Sequence, residues 1–393
     1  MSKFTIVVWL LFSAVACAPA PATPMPPAMP PRAALTPAPS ATLVPPAAPS
    51  VPTSTPRATE TSTPTATVRP AATPTQTPCA TLRECADRKQ VQVGTYLNGA
   101  WFPDPRFKDI VATEFNLAVI SSGFYWDSIE PSRGQFDFSA VDEQLAFAKS
   151  RNMQTGGHAL LLAESPYIPD WLAKGNFSRD ELEQVLRQFI VQVMTRYKGQ
   201  FDMYIVVEDP PIPPDTGRDV FFHQFGYDYI DLAFQIARET DPSAILLYNA
   251  AGDETPNGTA TGLTRSIVQR LKAKGLVDGV GMEMHLDAMT APSKEDVSAT
   301  MQSYGLPVYI TEMDVGLKDV PGTLEERYTR QAQVYGDMFS ACLESGVCKS
   351  FSVWGIGDKY SWLERESADA DPTLFDDDLK PKPAYFALLD ALR

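Results

Sequence analysis

Eight runs of β-branched and aromatic residues recur along residues 79–393, and helical stretches separate nearly all of them. The runs are Val91–Leu97, Asn116–Ser121, Gln154–Leu162, Met203–Val207, Ile245–Asn249, Val280–Leu286, Val308–Asp314 and Phe351–Ile356. Their composition reads as buried strand. Between them lie helical patterns at Ala140–Arg151 (opened by Ser139), Ser178 to about Lys198, Tyr227–Thr240, Leu263–Lys274, Ser293–Tyr304 and Leu324–Ser345. Ser178 with Glu181 forms a capping box for the second of these. Strands alternating with helices predict a parallel sheet with right-handed crossovers, most simply a closed (β/α)₈ TIM barrel. An open doubly wound sheet is the alternative, but no Gly-rich phosphate loop follows the first run.

In a barrel the C-terminal strand ends line one mouth, and here those ends are chemically unusual. The third run ends near His158, the fourth on Glu208, the sixth on Glu283 and His285, the seventh on Glu312 and Asp314, and the eighth beside Trp354. Each has an ordinary explanation alone: a solvated turn glutamate, a satisfied core histidine, a packing tryptophan. Their shared address points to a cleft. A carboxylate ending a buried strand is costly to desolvate and needs a partner or a task. Two facing carboxylates, one acid and one nucleophile or base, are the minimal equipment for cleaving a glycosidic bond.

The flanks set the context. Residues 1–17 carry Lys3, an apolar stretch from Phe4 to Phe12, then small residues ending on Cys17. This is a secretory leader, and the small residues before Cys17 are similar to a bacterial lipoprotein cleavage box. Cys17 is therefore expected to be lipidated, placing the protein outside the cytoplasm, anchored to the cell surface or secreted. Residues 18–78 are almost wholly Pro, Ala, Thr and Ser without an aromatic residue, a composition expected to stay extended and disordered. No other segment approaches the ~20 continuous apolar residues of a membrane span. Lys3 and a stalk of net +2 leave −18 of the chain's −15 on residues 79–393. So acidic a domain argues against nucleic acid as partner. Four cysteines remain, and in an exported protein an even number points to disulfides. Proximity pairs Cys79 with Cys85 and Cys342 with Cys348, although cross-pairing is open from sequence alone.

Residues 88–393 resemble glycoside hydrolase family 10, the endo-β-1,4-xylanase family. The resemblance rests on Glu130-Pro131-Ser-Arg-Gly134-Gln-Phe136-Asp-Phe138 with Asp142, on Gly157-His158-Ala-Leu, and on Phe225-Gly226-Tyr-Asp-Tyr229-Ile with Ala233-Phe234, Ala237-Arg238 and Asp241-Pro242. It continues in order through Asp278-Gly-Val-Gly281 with His285-Leu286, Ile310-Thr-Glu312-Met-Asp314, and Trp354-Gly355 with Asp358 and Ser361-Trp362. It closes on Leu374-Phe375-Asp376 and Lys380-Pro-Lys382-Pro383-Ala384-Tyr385. The resemblance implies a retaining mechanism with Glu208 as acid/base and Glu312 as nucleophile. His285 becomes the orienting partner of Glu312, with Asp314 behind it. His158 is expected to hydrogen-bond a sugar hydroxyl, and Trp354 and Trp362 to offer stacking faces. Cys342 and Cys348 fall where family members often carry a disulfide. The chemistry needs carboxylates alone, so no cofactor or metal is expected. The expected partner is a β-linked polysaccharide or oligosaccharide, met by a monomer that reaches the membrane only through its lipid anchor.

Several family positions differ. Val207 stands where the family has asparagine before the acid/base, and cannot hydrogen-bond a sugar 2-hydroxyl. Ser121-Ser122 and Tyr125 replace a Glu-Asn pair and a lysine, Leu162-Ala163 replaces Trp-His, and Glu283 replaces a glutamine. An ionised Glu283 would repel Glu312, and two close carboxylates tend to share a proton. Three functions follow: a retaining β-1,4-glycanase acting on xylan, a related enzyme for another β-linked glycan with Tyr125, Ser122 and Glu283 shaping its pocket, or a surface carbohydrate-binding barrel with little turnover.

Overall fold

The computed structural model describes residues 78–393 apart from 98, 164–166, 213–218, 366, 368 and the Arg365 side chain. The expected leader, Cys17 and nearly all of the stalk lie outside the described residues. The strands are β1 Gln92–Leu97, β2 Leu117–Ile120, β3 Gln154–Gly157, β4 Met203–Glu208, β5 Ile245–Ala250, β6 Gly279–Met282, β7 His285–Asp287, β8 Val308–Gly316 and β9 Cys348–Val353. All pair in parallel. The ladder runs from β6 through β5, β4, β3, β2 and β1 to β9 and β8, and a β6–β8 pairing closes it. That is the (β/α)₈ barrel expected from the alternation. The sixth run is broken: Met284 takes a left-handed φ of 65° between β6 and β7, so β7 pairs with β8 beyond the barrel wall.

Alternation along the strands divides the apolar residues between two cores. Leu117, Val119, Met203, Ile205, Leu247 and Tyr309 fill the barrel interior, with Trp354 packed against them at its mouth. The larger core lies between the barrel and its helices. The capping box at Ser178 and Glu181 is present and opens the helix Arg179–Arg196. Six helices among the described residues were not anticipated: Trp126–Ile129, Asp170–Ala173, Val220–Phe225, Pro383–Leu392 and two near the start of the domain. Pro105–Glu114 starts on an Asp104 cap with Pro at its first position, and Leu82–Lys89 starts on a Thr81 cap. Each carries a single apolar repeat at i, i+3 and i+4 (Phe107, Ile110 and Val111; Leu82, Cys85 and Ala86), too brief a pattern to stand out. Cys79 is bonded to Cys85 and Cys342 to Cys348, as proximity indicated.

One buried ion pair holds the segment that follows β9. Lys382 donates from Nζ to Asp358 Oδ2 at 2.7 Å and Oδ1 at 3.0 Å, and to the Asp371 carbonyl at 2.7 Å. Both side chains are 2% exposed. Burial pushes Asp358 up to about 6 against the pull of Lys382. Removing one partner strands a buried charge. Lys382→Met is therefore expected to lower unfolding free energy by roughly 3–5 kcal/mol, read as a drop in Tm and denaturation midpoint. An unchanged midpoint would show the pair to be dispensable.

Candidate active site

Glu208 and Glu312 reach the barrel mouth from opposite sides of the sheet order, and each sits at an irregularity. The β4–β5 register shifts between Ile205 and Val207, just before Glu208. The β8–β9 register shifts between Ile310 and Met313, across Glu312. Such bulges re-aim side chains next to active sites. Backbone contacts hold Glu208 on both flanks: its N–H donates to Leu161 O at 2.9 Å, and it lies in register with Asn249 of β5. Both carboxyl groups are buried, 5% and 2% exposed.

A histidine joins them. His158 Nε2 lies 2.8 Å from Glu208 Oε2 and 3.4 Å from Glu312 Oε1. One oxygen of each carboxyl and this nitrogen all fall within 4.8 Å of one another. At the same oxygen of Glu312, Asn249 Nδ2 donates to Oε1 at 2.8 Å, and it also donates to Glu283 Oε1 at 3.0 Å. The Asn249 carbonyl accepts from Thr311 Oγ1 at 2.8 Å, which fixes the amide. A Cβ on Gly281, the residue paired with Asn249 across β5 and β6, would lie 2.1 Å from Asn249 Oδ1. Only glycine leaves room for that amide. His285 Nε2 stands 3.3 Å from Glu312 Oε2 and 3.7 Å from Glu283 Oε2, while its Nδ1 meets Asp314 Oδ1 at 3.0 Å. Asp314 in turn accepts from Trp362 Nε1 at 2.9 Å. Crowded His and Glu donors are also how a divalent cation is gripped.

These contacts separate the carboxyls electrostatically. Burial, reinforced by neighbouring Asp209, holds Glu208 well above the ordinary carboxyl range, with His285 opposing only weakly. Burial raises Glu312 too, but by less, because His158 and the hydrogen bond from His285 oppose it. Burial favours the neutral form of His285, yet Asp314 and Glu312 outweigh it and keep the imidazole charged well above its usual range. Burial lowers His158. Both carboxyls are thus held towards their acid forms, Glu208 more strongly than Glu312, so Glu312 is the first of the two to ionise, the order that acid and nucleophile require.

Of the remaining sequence candidates, Tyr125, His285, Trp354 and Trp362 are partly exposed at this mouth. Trp354 stacks on Tyr96 with ring centroids 4.3 Å apart, and the Tyr125 hydroxyl accepts from Ser121 Oγ at 3.0 Å. An open pocket of about 230 Å³, lined by His285, Asp287, Lys318 and Trp362 among others, adjoins them. His158 has no exposed surface; its Nε2 lies beside the two carboxyls, and neither ring nitrogen makes a hydrogen bond to another side chain or to the backbone. Val207 is fully buried and apolar. Sequence reading missed Asn249, Thr311 and Asp209. Asn249 ends a strand run as Glu208 does, which was the available signal, but an asparagine there carries no desolvated charge to attract notice.

A closed parallel barrel with paired glutamates at its C-terminal mouth is the architecture of a glycoside hydrolase. The family model for glycosyl hydrolase family 10 matches residues 81–391, and the chain belongs to that family. It is 29% identical over 320 residues to endo-1,4-beta-xylanase B of Thermotoga neapolitana, covering 79% of this chain and 91% of that one. Native xylanase 10B of Thermotoga maritima superposes with a TM-score of 0.75 at 30% identity, covering 80% of this chain and 98% of that structure. Xylanase 10B of Thermotoga petrophila RKU-1, solved with xylobiose, gives the same TM-score at 29% identity over 81% of this chain and 98% of its own.

Proposed function

We propose that this chain cleaves the β-1,4-linked backbone of xylan with net retention, Glu312 acting as nucleophile and Glu208 as acid/base. The observation that carries the reading is that one oxygen of each carboxyl lies within 4.8 Å of the other, with His158 Nε2 beside both. Retaining enzymes hold the pair ~5–5.5 Å apart, whereas inverting enzymes leave ~6.5–9.5 Å for a water. Glu312 attacks the anomeric carbon while Glu208 protonates the departing glycosidic oxygen. Glu208, now ionised, takes a proton from water, which displaces Glu312 and returns the starting configuration. The xylobiose bound by the relative from Thermotoga petrophila supports a xylose-based substrate. Partly exposed Trp354, Trp362 and Tyr125 offer ring faces for it.

The test is the anomer first released from xylo-oligosaccharides, followed by NMR. The β-anomer is expected; early α-anomer would overturn the retaining assignment. The pH profile of kcat/KM follows from the same pair. Activity falls on the acid side as Glu312 takes up a proton, above the ordinary Glu value of about 4.3 because burial raises it. It falls on the alkaline side as Glu208 loses its proton, higher again because burial raises that group further. An alkaline limb in the ordinary carboxyl range would contradict the roles assigned.

A further inference from the structure

Glu283 is a third buried carboxyl beside the reacting pair, and double displacement does not call for it. It is 2% exposed and lies side by side with Glu312. Asn249 Nδ2 spends one hydrogen on an oxygen of each, and His285 Nε2 stands between their other oxygens at 3.3 and 3.7 Å. Two ionised carboxylates this close, out of water and with one imidazolium between them, are disfavoured, so the pair holds a proton.

The contacts decide where that proton sits. Those of Glu312 are nitrogens: Asn249 Nδ2, His285 Nε2 and His158 Nε2. Glu283 has in addition the side chain of Asp209 beside it, a further oxygen acceptor that pushes it towards its acid form. A carboxyl can bond to a carboxylate only by donating. We propose that Glu283 is a positioning residue that works as a neutral acid, accepting from Asn249 and donating its own proton to Asp209, so that the negative charge of the pair rests on Glu312. The groups facing it are Glu208 and Asp209 from the end of β4, neutral Asn249 from β5, His285 from β7 and Glu312 from β8. Burial raises Glu283 well above the ordinary range, and Asp209, Glu312 and Glu208 push the same way.

The inference rests on Glu312 being the nucleophile, but it can be read without turnover. Infrared difference spectra of wild type minus Glu283→Gln at neutral pH are expected to show a protonated-carboxyl C=O stretch. Extra carboxylate absorption in its place overturns the proposal. In Glu283→Gln the amide still accepts from Asn249 and donates to Asp209; Glu283→Ala does neither. We expect kcat of Glu283→Ala to fall by about 10–100-fold, the effect of leaving buried polar groups without partners. Glu283→Gln should recover most of that loss, with KM little changed in both. A glutamine variant as slow as the alanine one also overturns the proposal, and the infrared result stands even if the alanine variant fails to fold.

Discussion

Replacing Glu312 by alanine is expected to lower kcat on xylan by about 10⁴-fold or more, equivalent to ~5.4 kcal/mol of transition-state stabilisation. No neighbour can take over. The nitrogens of Asn249, His285 and His158 converge on Glu312. With Glu312 gone they point into a space that lacks the attacking oxygen. Glu283 is tied to Asn249 and Asp209, and reaching the anomeric carbon would cost those bonds. The cavity left by alanine does admit a small anion, and its donors are already aimed. Azide or formate should therefore restore turnover of an activated aryl glycoside in one displacement, giving the α-configured product from a β-glycoside. Residual activity within about tenfold of wild type on xylan, or rescue giving the β-product, would remove Glu312 from the role.

The barrel was legible because its signal is redundant. Eight runs with helices between them constrain topology even when single boundaries slip, as at Gln154–Leu162, where the regular strand ends at Gly157. The paired glutamates were legible for a different reason, since a charge at the end of an apolar run stands out. The short helices Leu82–Lys89 and Pro105–Glu114 each carried only one apolar repeat at i, i+3 and i+4, which is easily passed over. The break at Met284 is a backbone event that alternation does not announce, yet it separates β7 from β6 and sets where His285 lies. Asn249 and Thr311 were passed over because neither is charged, and the room for the Asn249 amide depends on a neighbour's missing side chain, Gly281. His158 was legible as a residue near a strand end, but its complete burial was not. Position along a strand says which end a residue occupies, but depth below the rim depends on packing, here against Trp354 at 5.0 Å between ring centroids.

Glu208→Ala should separate the two halves of the reaction. On xylan, whose departing sugar alkoxide needs a proton, kcat is expected to fall by about 10²–10⁴-fold, the usual contribution of a positioned general acid. An aryl glycoside with an acidic phenol leaves without help, so glycosylation of Glu312 by that substrate should stay fast. The second half still lacks its base, because the carboxyl that takes the proton from water is gone and His158 lies wholly buried behind it. The glycosyl-enzyme should then accumulate, seen as a burst of phenol followed by slow turnover with a lowered apparent KM, and as an added sugar mass on intact protein. Azide needs no deprotonation, so it should discharge the intermediate and yield the β-glycosyl azide, the opposite anomer to that expected from the Glu312 variant. The two anomers fix the faces from which the two carboxyls act. Equal losses on xylan and on the activated glycoside, with no burst, would mean that Glu208 does not serve as the proton donor.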